Sequence, residues 1–409
     1  MGLKNVAISG EVKSGFEAVR EAFLENFVRR GELGSACSIY YRGEKVVDLW
    51  GGVRNRETGE PWEEDTMALV WSTTKGLSGL ALAVAHSRGL LDYNERVSKY
   101  WPEFAQEGKG RITVRQLLAH QAGLFAFPET GDRDVVTDLG RLAAVLARQK
   151  PAWEPGTRQA YHGLTLGYYE GELLRRVDPE HRSLGRYFHE EIAVPLGIEF
   201  YIGLPKEIPD ARLAPLYPSG LASSIFTLPL GLFLAGMTPQ SRIRRALHGT
   251  ELALDRERIY ARDLEMPAGG GIGTARAIAH AYGVFATGGK ELGLREETLR
   301  ELEAPPVAPV HGFRDLALKV EVPFSLGFAK PHPKNPFGSP GSFGMPGAGG
   351  SFGFADPEVE VGYGYIPNRT GTYLVDPRDI ALRSALARSI GKTDPVGARK
   401  RSDILLRRT

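Results

Sequence analysis

The chain of 409 residues has one cysteine, Cys37. A lone thiol closes no disulfide within the chain and builds no cysteine-based metal site. Cys37 stands in an apolar, strand-like run from Ala36 to Tyr41, which reads as a buried, inert thiol. An excess of one charge is also lacking, since 51 Lys+Arg against 49 Asp+Glu leave a net charge of +2. That balance points to neither nucleic acid nor an acidic partner. Long hydrophobic runs are missing too. The longest, Ile225 to Met237, is too short to span a bilayer and holds Pro229 and two glycines. The first 13 residues carry no apolar core of signal-peptide length, so a cytoplasmic location is expected. No set of His, Asp and Glu shows metal-ligand spacing, and neither metal nor cofactor is expected.

What is there is ordinary for a globular protein, with 42% hydrophobic and 24% charged residues. The length suits one large core with insertions, or two domains. The 50 Gly and 27 Pro suggest many tight turns and close backbone approaches.

The spacing predicts a helix over Glu17 to Arg30, then two strands, Ser35 to Tyr41 and Lys45 to Trp50, joined by the turn Arg42-Gly43-Glu44. From Ser72 to Arg88 small and apolar residues fall at helical spacing. The middle of the chain reads as helical and loop-rich, with its clearest helices at Arg141 to Gln149 and Leu164 to Val177. Ala275 to Gly288 is another helix. Strand chemistry returns at Gly350 to Ala355 and Val359 to Ile366, around the turn Asp356-Pro357-Glu358, followed by a helix from Asp379 to Ile390. Strands at both ends with helices between suit a sheet assembled from both ends. We expect an α+β protein in which 1–85 and 267–392 form one discontinuous sheet domain. Residues 86–266 form an inserted, mostly helical domain, and 393–409 a basic, solvated tail.

The chemical signal is Ser72-Thr73-Thr74-Lys75. Residues i and i+3 share a helix face, so Lys75 reaches Ser72 if Ser72 opens the helix. A serine hydroxyl needs an adjacent base. A desolvated, neutral lysine can be that base. The helix N-terminus adds partial positive charge where an oxyanion would form. The tetrapeptide alone is also what an N-cap serine beside an exposed lysine would give. It occurs again as Ser389-Ile390-Gly391-Lys392, at the end of a helix, where a structural role is expected.

The surrounding blocks carry a resemblance. Leu117-Leu118-Ala119-His120-Gln121-Ala122-Gly123-Leu124, Trp153-Glu154-Pro155-Gly156, Tyr161-His162-Gly163, Pro195-Leu196-Gly197 and Ala268-Gly269-Gly270-Gly271 follow Ser72 in order. Together they resemble the serine β-lactamase/penicillin-binding-protein superfamily, and within it most the family VIII carboxylesterases. The resemblance implies the β-lactamase/DD-peptidase-like fold, an antiparallel sheet flanked by helices with a helical insertion. It implies Ser72 as nucleophile, Lys75 as base and Tyr161 as proton carrier. Two departures stand out: Gly163 replaces the asparagine of the Tyr-x-Asn block, and Met345-Pro346-Gly347-Ala348 replaces Lys-Thr-Gly.

Losing the cation at 345 removes an anchor for a substrate carboxylate, and Met345→Lys is expected to favour an anionic β-lactam. The N–H groups of Ser72 and Ala348 are the expected oxyanion donors, with Ala348 placed on an edge strand. Met345, Gly347, Gly349 and Gly350 are expected to meet substrate. His120 and His162 read as structural histidines.

The expected function is hydrolysis of neutral carboxylic esters, with a small-molecule ester as partner. A β-lactamase, a D-amino-acid peptidase, an acyltransferase and a non-catalytic binding protein of the same fold stay open. The apolar residues from Ile225 to Leu234 line the substrate entrance or belong to plain core.

Overall fold

The computed structural model describes residues 6–127, 133–218, 230–255, 257–262, 264–371 and 375–392. Residues 225–229 of the apolar run, and the basic tail from 393, lie outside them.

In chain order, β1 (Ile8–Val12) precedes α1 (Glu17–Arg29), β2 (Gly34–Tyr41), β3 (Glu44–Asn55), β4 (Glu60–Pro61), β5 (Ala68–Leu69) and α2 (Thr73–Ser87). The helical middle includes α3 (Leu139–Arg148) and α4 (Thr165–Val177), then strand β6 (Phe200–Ile202) and the short helix α5 (Arg242–Ala246). β7 (Gly271–Gly273) and α6 (Ala275–Ala286) lead back to β8 (Phe324–Ser325), β9 (Phe328–Ala329), β10 (Phe343–Pro346), β11 (Phe352–Asp356), β12 (Val361–Pro367) and α7 (Pro377–Ser389).

The main sheet is antiparallel and runs β1-β3-β2-β12-β11-β10-β9-β8, with β4 paired to β3. β12 pairs with β2, Val361 opposite Tyr41 through Pro367 opposite Ser35, so the two ends of the chain meet in mid-sheet. A three-stranded sheet, β5-β7-β6, lies beside the start of α2.

One face buries Phe23 and Phe27 of α1 and Leu382 and Leu386 of α7 against Ile39, Leu49, Phe354 and Tyr363. The other face meets α2 and α6. Every residue of α2 is buried, which its run of Ala, Gly, Ser and Leu permits. Close approach is required where α6 crosses β12, since a Cβ at Gly362 would collide with the backbone of Ala279 and Gly283. α6 is capped by Thr274, whose side chain accepts from the Ala277 N–H, and α7 by Asp376 with Pro377 in its first turn.

Two expectations are corrected. The strand bearing Met345 is not the sheet edge: the hairpin β8–β9, turned at Leu326-Gly327 with φ of 51° and 89°, adds two short strands outside β10. Ala348 is not on a strand either, because β10 ends at Pro346 and residues 347–350 form a turn. β1 was not foreseen; its five residues alternate between partial burial and exposure at an edge, and carry little apolar signal.

The second Ser-x-x-Lys does end a helix. Ser389 is the last residue of α7, Gly391 takes a φ of 71°, and Lys392 pairs with Glu358 at 3.0 Å.

Candidate active site

Ser72 stands as the N-cap of α2, directly after Trp71, whose φ of 48° lies in the left-handed region. A tryptophan there is strained by roughly 1–3 kcal/mol and is held by its surroundings. Those surroundings are specific. Thr74 Oγ1 donates to the Trp71 carbonyl at 2.5 Å and accepts from the Gly271 N–H at 2.9 Å. Thr73 Oγ1 and Ser351 Oγ lie 3.0 Å apart, and Ser351 Oγ donates to the Val70 carbonyl at 2.8 Å. The turn that carries Ser72 is thus tied to β7 and to the start of β11.

Lys75 lies one turn on and is fully buried. Its Nζ is 3.3 Å from Ser72 Oγ, 2.6 Å from the Gly163 carbonyl and 2.7 Å from the Ala268 carbonyl. Burial pushes its ammonium down to about 7, with Glu170 opposing the shift. A neutral amine has two N–H bonds, and the two carbonyls take both. The lone pair is then left for Ser72.

Tyr161 donates its hydroxyl to Ser72 Oγ at 2.5 Å, and Lys75 Nζ sits 4.7 Å from the centre of its ring. Burial pushes the phenol well above its ordinary range, against the Ser72 hydrogen bond. Tyr161 therefore carries its proton where Lys75 does not.

His120 and His162 sit behind Tyr161. The His162 N–H donates to His120 Nδ1 at 3.0 Å, and the Leu124 N–H donates to His162 Nε2 at 3.0 Å. That leaves the proton on His162 Nδ1, which donates to the Ala160 carbonyl at 2.8 Å. Burial drives His162 down to about 3 and His120 well below its usual value, so both are neutral. They fix the backbone on either side of Tyr161.

The turn after β10 packs through Gly347 against Val70 and Thr73, which flank Ser72. A Cβ there would collide with Ser351 Oγ and the Val70 carbonyl and lie 2.8 Å from Thr73 Oγ1. The Gly347 N–H is spent on the Ser351 carbonyl at 2.8 Å. Among the described residues, the N–H groups of Ser72 and Ala348 donate to no main-chain carbonyl. Gly349 and Gly350, with φ of 89° and 112°, pack against Thr370 and against Asp376 and Arg378, which gives them a packing reason.

Met345 is 1% exposed and packs in an apolar cluster with Phe125, Tyr161, Ala246 and Phe324. α5 closes over the far side of the site. A side chain at Gly163 would come within 2.6 Å of the Ala246 carbonyl and 2.9 Å of Leu247 Cδ2. An asparagine has no room there while α5 stays in place.

Among the described residues no group of His, Cys, Asp and Glu could hold a metal, and no helix is long and apolar enough to cross a membrane.

The family model "Beta-lactamase" matches residues 19–387. The chain belongs to the beta-lactamase family.

Within that family it is 32% identical to the esterase/beta-lactamase LipL of Mycobacterium tuberculosis, over 90% of this chain and 84% of the relative. It superimposes on the crystal structure of a family VIII carboxylesterase with a TM-score of 0.81 at 36% identity, covering 94% of this chain and all of that one. EstA from Arthrobacter nitroguajacolicus Rue61a gives 0.80 at 33% identity, covering 94% of this chain and 99% of the other.

Sequence reasoning missed three features around Lys75 and α4. The Gly163 and Ala268 carbonyls that hold Lys75 are main-chain atoms, which residue type does not advertise. The third is Glu170 of α4, fully buried, with both carboxyl oxygens lacking a hydrogen-bond partner. Its one signal was position: it shares a helix face with Leu166, Leu173 and Leu174, all buried.

Proposed function

We propose that the chain is a serine carboxylesterase that cleaves neutral esters through an acyl-enzyme on Ser72. The observation that carries this is the placement of Ser72 Oγ between a protonated Tyr161 hydroxyl and a Lys75 amine whose two N–H bonds are already committed. Lys75 takes the proton of Ser72 as Oγ bonds to the ester carbonyl carbon. The negative carbonyl oxygen rests on the N–H groups of Ser72 and Ala348. Collapse breaks the bond to the alkoxide, which receives a proton from Tyr161, and Lys75 returns a proton to the relay. Water then attacks the acyl-enzyme with the same base, releasing acid and restoring Ser72. No cofactor enters this scheme.

The preference for neutral esters is supported by Met345, an uncharged side chain where the resemblance expects a carboxylate-binding cation, packed with Phe125 and Phe324 beside Tyr161. The names of the relatives, esterase and carboxylesterase among them, support the same reading. Gly347 lets the turn that bears Ala348 pack against Val70 and Thr73, on either side of Ser72, which supports Ser72 and Ala348 as the two oxyanion donors.

The test is hydrolysis of p-nitrophenyl esters of graded chain length beside a chromogenic cephalosporin, with Ser72→Ala as the blank. Short neutral esters are expected to turn over far faster than the cephalosporin, and Ser72→Ala to lose on the order of 10³-fold or more. A wild type that cleaves the cephalosporin as fast as the butyrate ester would replace this reading with a β-lactamase. Full turnover in folded Ser72→Ala would remove the nucleophile assignment.

A further inference from the structure

Three large apolar side chains that stand open to solvent fall in one short stretch, residues 234–247, beside the site. Leu234 is 52% exposed, Met237 64% and Leu247 39%. Leu234 and Met237 belong to the helix Leu230–Met237, whose sequence Leu-Gly-Leu-Phe-Leu-Ala-Gly-Met has no polar side chain. A helix that is apolar all round is normally buried whole. Here its last turn lies open, with Leu234, Gly236 and Met237 exposed and Ala235 half-buried.

Charge of one sign accompanies this apolar surface. α5, capped by Ser241, buries Ile243 and Ala246 and leaves Arg242, Arg244 and Arg245 exposed. Among the described residues no carboxylate pairs with any of the three. Arg244 Nη1 donates to the Gly236 carbonyl at 3.4 Å, which ties α5 to the end of the apolar helix. The Arg245 guanidinium lies over the Phe125 ring at 5.5 Å, outside the cluster that holds Tyr161 and Met345. From 211 to 250 the chain has neither Asp nor Glu. Asp210, just before, is taken up by Arg258 and Arg262. The surface adjoins the site, because Ala246 and Leu247 close over Gly163.

We propose that residues 234–247 are a docking surface for an anionic lipid layer. Leu234, Met237 and Leu247 enter the boundary of the acyl chains, and Arg242, Arg244 and Arg245 meet the phosphates. An apolar helix end beside unpaired arginines is the composition that a lipid–water interface holds. The helix presents no hydrogen-bonding side chain that a folded partner would have to match. A second copy is disfavoured by charge, since a two-fold contact through this surface would set three arginines against three. The docking goes beyond ester cleavage and does not depend on it, so the Ser72→Ala chain should bind the same lipid.

The experiment is flotation of the full chain with phosphatidylcholine vesicles, made with and without phosphatidylglycerol. The chain should float with the phosphatidylglycerol vesicles, bind pure phosphatidylcholine more weakly, and come off the anionic vesicles as salt is raised. Leu234→Ser with Met237→Ser should cut binding by about tenfold, since two apolar side chains no longer enter the acyl boundary. Arg242→Gln with Arg244→Gln should cut it on the order of tenfold at low salt. Both pairs are exposed, so each variant should melt with the wild type and turn over a soluble ester at the same rate. Leu24→Ser with Val28→Ser, exposed on α1, is the control and should leave binding unchanged. A wild type that binds neither vesicle overturns the proposal. So does binding that survives both pairs, or that the α1 control lowers as much. If Leu234→Ser with Met237→Ser instead dissolves a dimer seen by sedimentation, and no vesicle is bound, the surface joins two copies and the lipid reading falls.

Discussion

Desolvation sets apart the two groups that flank Ser72 Oγ. Taking a lysine out of water disfavours its ammonium, and taking a tyrosine out of water disfavours its phenolate. Lys75 is brought down to about 7 and Tyr161 is carried upward, so one is ready to accept a proton and the other to give one. A consequence in pH follows. In the proposed mechanism the active form of Lys75 is the deprotonated one, so kcat/KM on a neutral ester is expected to rise with pH through about 7 and then level. Tyr161 stays protonated across that window and adds no loss. A profile already level below pH 5 would mean that a carboxylate, not Lys75, is the base. Ser389→Ala supplies a control at the same scale. Its lysine partner by spacing, Lys392, is paired with Glu358, so ester turnover in this variant should equal that of the wild type.

Strand β10 shows where sequence reasoning at the level of elements succeeded and where it stopped. The Ser72 helix, the two helices Arg141 to Gln149 and Leu164 to Val177, and the pairs of strands at each end were legible because apolar spacing and turn residues mark them. Motif order singled out Ser72, Lys75 and Tyr161, and the fold brings Tyr161 to 2.5 Å and Lys75 to 3.3 Å from Ser72 Oγ. The neighbours of β10 were not, since β8 and β9 are two residues each and too short for any pattern. Nor was the environment of Met345, which depends on what α2 and Phe324 do around it. The difference matters for Met345→Lys. Read from sequence, the lysine restores a carboxylate anchor. In the fold, position 345 is 1% exposed and packed against Tyr161 and the Gly76 turn of α2. A lysine there either buries its charge, at a cost of several kcal/mol, or displaces its neighbours. We expect Met345→Lys to lower the melting temperature and to reduce ester turnover, with no gain in kcat/KM for an anionic β-lactam. A gain on the β-lactam at unchanged melting temperature would show that the side chain swings out into the cleft.

At the scale of the whole molecule, the two ends of the chain are joined by more than strand pairing. Arg378, in the first turn of α7, reaches Glu32 between α1 and β2 at 2.8 Å and Asp376 at 2.8 Å, and all three side chains are buried. Tyr365 of β12 donates to Glu32 as well. The fourth contact leads to the site: Arg378 Nη2 donates to the Gly349 carbonyl at 3.1 Å. Gly349 directly follows Ala348, so the guanidinium that binds the chain ends together also braces the turn from which an oxyanion donor is proposed. A buried ion pair adds little net stability while intact, but removing one partner strands the other charge, at about 3–5 kcal/mol. Arg378→Ala is therefore expected to lower stability by about that much, read by chemical denaturation. Arg378→Lys should be nearly as costly, because an ammonium cannot reproduce the forked contacts to Glu32, Asp376 and Gly349. If the brace matters to the site, the folded fraction of either variant will also show a lower kcat at little-changed KM, since the turn would be loosened for the developing oxyanion rather than for the bound ester. A variant that loses stability but keeps its kcat would confine Arg378 to holding the chain ends together.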